Sequence, residues 1–277
     1  MKLRFLLALL FLWPASAFAA CTSSPCIITS GTTFTVPSNF VSLVKVEAIG
    51  TGGDGSGSTQ YSGAGGAYMK STSASFTAGH TYTIQIGARG GINTPAPTSS
   101  SIGSLANTGI QDNSGNWILG AQGGDPGNSG SDPGTVANSV GDSGNDGGAG
   151  NVAGGGGAAG GGGAGGPNGA GNAGGIGYGY GNGGQGDSSF GGLGGIGHSG
   201  TGTNGIAGTE IAGIGSGGGG GGGVITGGNG GNYGAGGGGG NYTGTGSAGL
   251  GSPGVLIFTY VSTAAPSAFI FTPAVIP

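Results

Sequence analysis

Glycine recurs at every third position over long stretches of this chain. It does so at Gly141, Gly144, Gly147 and Gly150; from Gly154 through Gly157, Gly160, Gly163 and Gly166 to Gly169; and at Gly171, Gly174 and Gly177. Further runs span Gly191 to Gly200, Gly202 to Gly208, and Gly228 to Gly240, each separated from the next by a shift of register. A three-residue period matches neither an α-helix nor a pleated strand. It matches the extended polyproline-II type of helix, which turns every three residues and leaves its N–H and C=O groups pointing sideways without internal partners. Those groups must be satisfied by neighbouring threads. A missing side chain at every third position lets such threads approach closely enough to bond, supplemented by Cα–H···O contacts. Runs of about 9 to 15 residues would form rods of roughly 28 to 47 Å, with the register shifts as turns.

Composition narrows the alternatives. Glycine supplies 80 of 277 residues while charged residues make up only 5%. Disordered chains usually combine low hydrophobicity with high net charge, and the charge is lacking here. Collagen needs an unbroken Gly-X-Y register rich in proline, whereas Pro167 stands almost alone in the glycine tract. Ordering glycine costs about 1–2 kcal/mol of backbone entropy per residue, with little side-chain burial to offset it. The tract therefore needs firm ends.

The flanks supply candidates. Strands are expected at Thr32 to Val36, Val41 to Ile49, Ala67 to Phe76 and His80 to Gly87. In the last of these Tyr82, Ile84 and Ile86 alternate with Thr81, Thr83 and Gln85, the pattern of a half-buried strand. Trp117-Ile118-Leu119 suggests another, and Val255 to Val261 is apolar on both faces, as in a central strand. The mature chain contains no amphipathic helical window. The expected fold is all-β: a small antiparallel framework from N- and C-terminal strands, with an inserted glycine-rich region of polyglycine-II-like rods or loops.

Residues 1–19 read as a signal peptide, with Lys2 and Arg4, the apolar run Phe5 to Trp13, and Ala17-Phe18-Ala19 before a cleavage point at Ala20. Its apolar core is too short to span a bilayer, and no later stretch approaches that length. Export to an extracellular, surface or periplasmic location follows. Cys21 and Cys26, the only cysteines, are expected to close a disulfide loop in residues 20–30. A lipidated Cys21 is the alternative, since Phe18-Ala19-Ala20-Cys21 faintly resembles a lipobox. The remaining layout is a β framework at 31–120, the glycine region at 121–250, a closing strand at 251–262 and an apolar tail at 263–277.

Several residue groups together resemble the glycine-rich domain of bacterial secreted proteins and phage tail fibre adhesins. They are Phe34-Thr35-Val36-Pro37, Val44 to Ala48, the glycine cluster at 50–57, Gly65-Gly66-Ala67-Tyr68, Ala78 to Ile84 with Gly87, and the ending Gly251 to Phe258. The resemblance covers roughly residues 31–260. It implies a β framework carrying glycine-rich loops or polyglycine-II rods and, for the phage members, receptor binding at the tip loops. The signal peptide departs from the phage pattern.

Other chemistry finds little support. Beyond the signal peptide the basic residues are Lys45, Lys70 and Arg89, too few and too scattered to neutralise nucleic-acid phosphates or an anionic membrane. Gly50 to Gly55 matches G-x-G-x-x-G, but no helix follows to hold a pyrophosphate. Gly183 to Asp187 matches a calcium-binding nonapeptide only superficially, because its aspartate falls one position early, and Asp142, Asp146 and Asp187 read as solvated turn residues. His80 and His198 are isolated, and no nucleophile elbow or carboxylate pair is visible. Neither catalysis, cofactor nor metal is expected. What remains is recognition: Tyr178, Tyr180, Phe190, Tyr233, Asn241 and Tyr242 are the candidate ligand-binding residues, since aromatic rings and amides suit glycans or proteins. Covering the edge of a rod bundle would explain the same tyrosines. A structural matrix or filament subunit is the alternative function, with Phe269-Ile270-Phe271 adding a strand to a neighbour, and ice binding is a third.

Overall fold

A computed structural model describes residues 18–19, 21, 23–57, 61–89, 107–127, 132–152, 157–176, 179–187, 190–211, 213–240 and 246–263. The strands are β1 (Phe18–Ala19), β2 (Cys26–Ile28), β3 (Thr33–Thr35), β4 (Phe40–Ile49), β5 (Tyr68–Ser71), β6 (Thr81–Gln85), β7 (Thr108–Gln111) and β8 (Trp117–Ala121), followed by β9 (Ser143–Asn145), β10 (Gly208–Ile211), β11 (Ile214–Gly215) and β12 (Val255–Ser262). A single 3₁₀ turn at Val136–Asn138 is the helical structure among the described residues. None of their helices is long and apolar enough to cross a membrane.

Two sheets, ordered β1-β3-β6-β7-β8 and β2-β12-β4-β5-β9, form a sandwich. β12 pairs antiparallel with both β2 and β4. It occupies the central position that its two-faced apolar sequence requires. One face sends Leu256 and Phe258 into a core with Phe34, Val46, Met69, Ile84, Ile110 and Leu119 from both sheets. Phe258 lies 4.9 Å from the Phe34 ring and 4.9 Å from Phe76, centroid to centroid. A Cys21–Cys26 disulfide, Cα–Cα 5.4 Å, closes the loop into β2. A sulfur engaged in that bond cannot carry a lipid.

The opposite face of the β12 sheet holds a second, smaller core of Ile49, Tyr68, Val255 and Ile257 with Ala164 and Ile211 of the glycine region. Glu47 sits on the same face and is 1% exposed. The Tyr68 hydroxyl donates to its Oε1 at 2.6 Å, and Lys45 Nζ reaches Oε2 at 2.9 Å. Burial, and secondarily the Glu47 charge, push the Tyr68 phenol far above its ordinary range, so it stays a donor.

Beyond the sandwich the strands do not stop. β4 runs on as an extended thread at 50–56, threads 61–67 and 247–254 lead into β5 and β12, and threads 122–127 and 146–151 follow β8 and β9. The lateral order persists as well: Gly50, Gly53 and Ser56 donate to Ala67, Ala64 and Tyr61, while Gly52 and Gly55 donate to Ser252 and Gly249. The change is in the bonding period. A strand residue bonds to one of two neighbours in a plane. A thread residue steps through three directions.

Thread 158–165 shows the pattern in full. Gly160 and Gly163 donate to Gly175 and Asn172, Gly161 and Ala164 to Gly220 and Gly217, and Gly162 and Gly165 to Gly63 and Gly66, at 2.8–3.3 Å. Its carbonyls serve three further threads: Ala158, Gly161 and Ala164 accept from Gly181, Gly184 and Asp187, Ala159 and Gly162 from Gly239 and Gly236, and Gly163 from Gly148. Thread 217–223 is surrounded in the same way. Gly217, Gly220 and Gly223 donate to Tyr233, Gly236 and Gly239, Gly218 and Gly221 to Ile206 and Thr203, and Gly219 and Gly222 to Gly184 and Gly181.

This enclosure explains why residues 217–223 are glycine without interruption. A β-carbon at Gly217, Gly218, Gly219 or Gly220 would lie within 2.2 Å of a backbone carbonyl oxygen of Gly231, Leu193, Gly161 or Gly228 respectively. A thread with a free side tolerates two side chains per turn, whereas a thread closed on all sides tolerates almost none. The enclosed threads 61–67, 158–165, 217–223 and 234–240 contain only glycine and alanine apart from Tyr61 and Ser62 at one end. Threads 50–56 and 61–67, placed with the β framework by the sequence reading, belong to this bundle by their hydrogen bonds. Gly50 to Gly55 is thus a bundle thread, its G-x-G-x-x-G spacing set by close approach to Gln122, Ala235, Asp125 and Gly238.

Candidate recognition face

The outer threads form a wall in which each bonds to the next. Thread 171–175 donates to 182–185 (Asn172 to Gln185 and Gly175 to Asn182), Gly183 and Gly186 donate to Gly195 and Gly192, and Ile206 and Thr203 donate to Leu193 and Ile196. Gly202 and Gly205 then donate to Thr226 and Asn229, and Gly227 and Gly230 to Ser247 and Leu250.

Side chains on this wall are placed by the three-residue turn. Leu193 and Ile196 are one turn apart and project on the same side, about 9.3 Å apart along the thread. They are 58% and 62% exposed. Ile206, 57% exposed, is bonded alongside Leu193, and Thr203 alongside Ile196. The Thr203 hydroxyl also accepts the Ile196 N–H at 2.6 Å. The result is a fixed array of three aliphatic side chains and a threonine on a surface held by backbone bonds. Asparagines stitch its surroundings: Asn182 Oδ1 accepts from Gly197, Asn204 Oδ1 from Asn229, and Asn229 Oδ1 from Leu250, at 2.8–2.9 Å.

The nearby acids are held by hydrogen bonds, except for the buried Glu210 Oε2, which has no hydrogen-bond partner among the described residues. Asp187, read from sequence as a solvated turn residue, is instead fully buried; its Oδ2 accepts from the Asn168 backbone N–H and Nδ2, and its own N–H donates to Ala164. Its φ of 30° lies in the left-handed region, which aspartate tolerates better than most side chains. The Glu210 carboxylate accepts from the Ser216 N–H at 2.6 Å and from its hydroxyl. Among the described residues no three His, Cys, Asp or Glu side chains converge on a point that could hold a metal ion. His198 is exposed, its Nδ1 accepting from Gly200.

The candidate residues named from sequence are dispersed. Tyr180, 40% exposed, opens thread 181–187, and Phe190, 70% exposed, follows its far end, so the length of the thread separates them. Tyr233 is half-buried and packs against the Ile49 and Tyr68 cluster, which makes it part of the joint between sandwich and bundle. Tyr178, Asn241 and Tyr242 lie outside the described residues, as do Phe269, Ile270 and Phe271 of the tail. The aliphatic array was not singled out from sequence, although its signal is there. Leu193 and Ile196 each follow a glycine pair in Gly191 to Gly197, and a large residue repeated every third position must share one side of a three-residue turn.

No protein-family profile matches the chain, and no curated protein is significantly similar to it.

Proposed function

We propose that this chain is an exported, non-catalytic binding module of adhesin-like type, and that Leu193, Ile196, Ile206 and Thr203 form the centre of its recognition face. The observation that carries this reading is the exposure of large aliphatic side chains on a backbone with no freedom to fold over them. Contiguous exposed apolar side chains rimmed by polar groups are a feature of interaction sites. Here the rim is asparagine and threonine, so the partner suited to it is uncharged and presents both apolar and hydrogen-bonding groups, as a surface glycan or protein does. The signal-peptide pattern and the disulfide support an oxidising, exported setting. Tyr180 and Phe190 extend the face at its margins.

The test is the triple variant Leu193→Ser, Ile196→Ser, Ile206→Ser. These side chains point outward, so the fold, checked by circular dichroism and melting temperature, should be retained. Binding of the labelled mature protein to a panel of bacterial and host cell surfaces should fall about tenfold or more, the scale of losing a buried apolar contact. Undiminished binding by the folded variant would rule the face out. A matrix or filament subunit is the second reading, favoured by the same exposed aliphatic residues on a chain with only 5% charged residues. Under that reading the variant abolishes concentration-dependent self-association rather than binding to foreign surfaces.

A further inference from the structure

The bundle carries four asparagines that each precede a glycine: Asn168-Gly169, Asn182-Gly183, Asn204-Gly205 and Asn229-Gly230. All four asparagines are exposed. Asparagine is chemically labile, and a following glycine makes it more so, because no β-carbon keeps the glycine nitrogen away from the asparagine Cγ. That nitrogen adds to Cγ, and Nδ2 leaves as ammonia with the proton given up by the glycine N–H. A five-membered succinimide results. Water then opens the ring at either carbonyl, leaving aspartate or isoaspartate. The reaction needs the glycine N–H free to turn and the side-chain amide free to swing over it.

Three of the pairs have neither freedom. Asn204 Oδ1 accepts the Asn229 N–H at 2.8 Å while the Gly205 N–H donates to the Asn229 carbonyl at 2.8 Å. Asn229 repeats the clamp on Leu250, Oδ1 accepting its N–H at 2.8 Å and the Gly230 N–H donating to its carbonyl at 2.8 Å. Asn182 Oδ1 accepts the Gly197 N–H at 2.9 Å, and the Gly183 N–H donates to Gly195 at 2.7 Å. In each case a neighbouring thread holds both reacting groups.

Asn168 stands apart. It lies in the turn Gly166-Pro167-Asn168-Gly169 that reverses the chain between threads 158–165 and 171–175. The Gly169 N–H reaches only the Gly166 carbonyl, at 3.4 Å, beyond the usual limit of about 3.2 Å for such a bond. Asn168 Oδ1 takes no bond from the described residues. Its Nδ2 donates to Asp187 Oδ2 at 3.0 Å, and its backbone N–H to the same atom at 2.8 Å.

We infer that Asn168 is a site of spontaneous modification, deamidating in the folded protein ahead of the other three pairs and loosening the joint between sandwich and bundle. The new carboxylate stands where Nδ2 stood, against the wholly buried Asp187. Two carboxylates at that range cannot both stay ionised without strain on the site. The Asp187 N–H is bonded to Ala164, which packs with Ile49 and Tyr68 in the second core, so the disturbance begins at the base of the bundle. Isoaspartate adds a main-chain carbon to a turn closed by the Gly166 N–H on the Gly169 carbonyl at 3.0 Å. The site sets a chemical lifetime on the molecule.

The test ages the mature chain, residues 20–277, in mildly alkaline buffer and follows each pair by peptide mapping after elastase digestion, with detection of isoaspartate. Asn168 should convert about tenfold or more faster than Asn182, Asn204 or Asn229, whose reaction waits on local opening. In denaturant all four should convert at comparable rates, since the shared dipeptide then governs the chemistry. Asn168→Asp should lower the melting temperature and speed hydrogen exchange at the Asn168 and Asp187 amides. Asn182→Asp, which keeps an oxygen for the Gly197 N–H, should stay near the parent in both. Equal ageing of the four pairs in the folded chain, or a lead by another pair, would overturn the inference, as would an Asn168→Asp variant with the stability and exchange of the parent.

Discussion

The sandwich and the glycine bundle use the same backbone groups in opposite ways. In the sandwich, Phe34, Phe258, Ile84 and Leu119 fill the space between two sheets and are almost wholly buried. Each such side chain contributes about 1.5–3 kcal/mol through burial, and hydrogen bonds keep the strands in register beneath them. In the bundle, enclosed threads such as 217–223 leave no room for a side chain and are held by lateral hydrogen bonds. Each bond contributes about 0.5–1.5 kcal/mol net, against about 1–2 kcal/mol to order the residue that makes it. A bundle on those terms is barely self-supporting. Its threads are continuous with β4, β5, β8, β9 and β12, whose register is already fixed by a hydrophobic core, so the sandwich supplies the nucleus that the glycines lack.

The largest effect expected from this dependence is that of Phe258→Ala. Phe258 is fully buried and touches the rings of Phe34, Phe40, Phe76 and Tyr260. Its truncation should cost about 3–5 kcal/mol in denaturant unfolding. The bundle should be lost in the same transition, with the Gly219 and Leu119 amides losing hydrogen-exchange protection together. Bundle amides that stay protected while the sandwich core exchanges freely would show that the threads stand without it.

Next comes Gly220→Ala, which sharpens the comparison from the bundle side. A β-carbon there would sit 1.8 Å from the Gly228 carbonyl oxygen, and backbone rather than a side chain must yield. A cost of about 1–3 kcal/mol or more is expected. Gly179→Ala, with nothing within 4 Å of the added carbon, should stay within about 0.5 kcal/mol of the parent. Equal behaviour of the two variants by equilibrium unfolding would refute close packing as the reason for uninterrupted glycine.

Much of the sandwich was legible in advance, because its strands carry side-chain patterns. β6 alternates, β12 is apolar on both faces, and both were placed to within a few residues. β7 escaped notice because Thr108-Gly109-Ile110-Gln111 has only one large apolar residue, and β2 because it is three residues long beside a disulfide. Three-residue spacing announces lateral contacts without naming the partners. Gly63 bonds to threads at 162 and 237, far along the chain, so its membership of the bundle could not be read from its own neighbourhood. The same remoteness hid the burial of Tyr233 against Ile49 and of Asp187 within the threads. The aliphatic array lay closer to the surface of the sequence, since a single three-residue repeat encodes the shared side of Leu193 and Ile196.

A smaller effect separates the two regions by acid. Asp142 gathers the Ser73 hydroxyl at 2.7 Å, the Thr72 and Ser73 N–H groups at 2.7 and 3.0 Å, and the Ser71 hydroxyl at 3.1 Å, joining the end of β5 to the approach to β9. The Ser73 hydroxyl first, and then the backbone donors, hold its carboxyl well below the usual carboxylate range. Asp112 is lowered in the same direction by the Asn116 backbone and side chain. A carboxyl depressed in the folded state binds its proton more readily when unfolded. Its stabilisation is complete above the ordinary value of about 3.9 and is lost as pH falls through the lower folded value. Stability should therefore be flat from neutrality to about pH 4 and decline below it. Asp142→Asn should be less stable than the parent at pH 7, and the gap should narrow as the medium is acidified. Hydrogen exchange resolved by region should place the first acid-induced loss at the Ser71 to Ser73 turn, while thread 217–223, which contains no ionisable side chain, should respond only when the sandwich beneath it opens. A gap between parent and variant that is unchanged at pH 2 would mean that the negative charge of Asp142 plays no part in holding the turn.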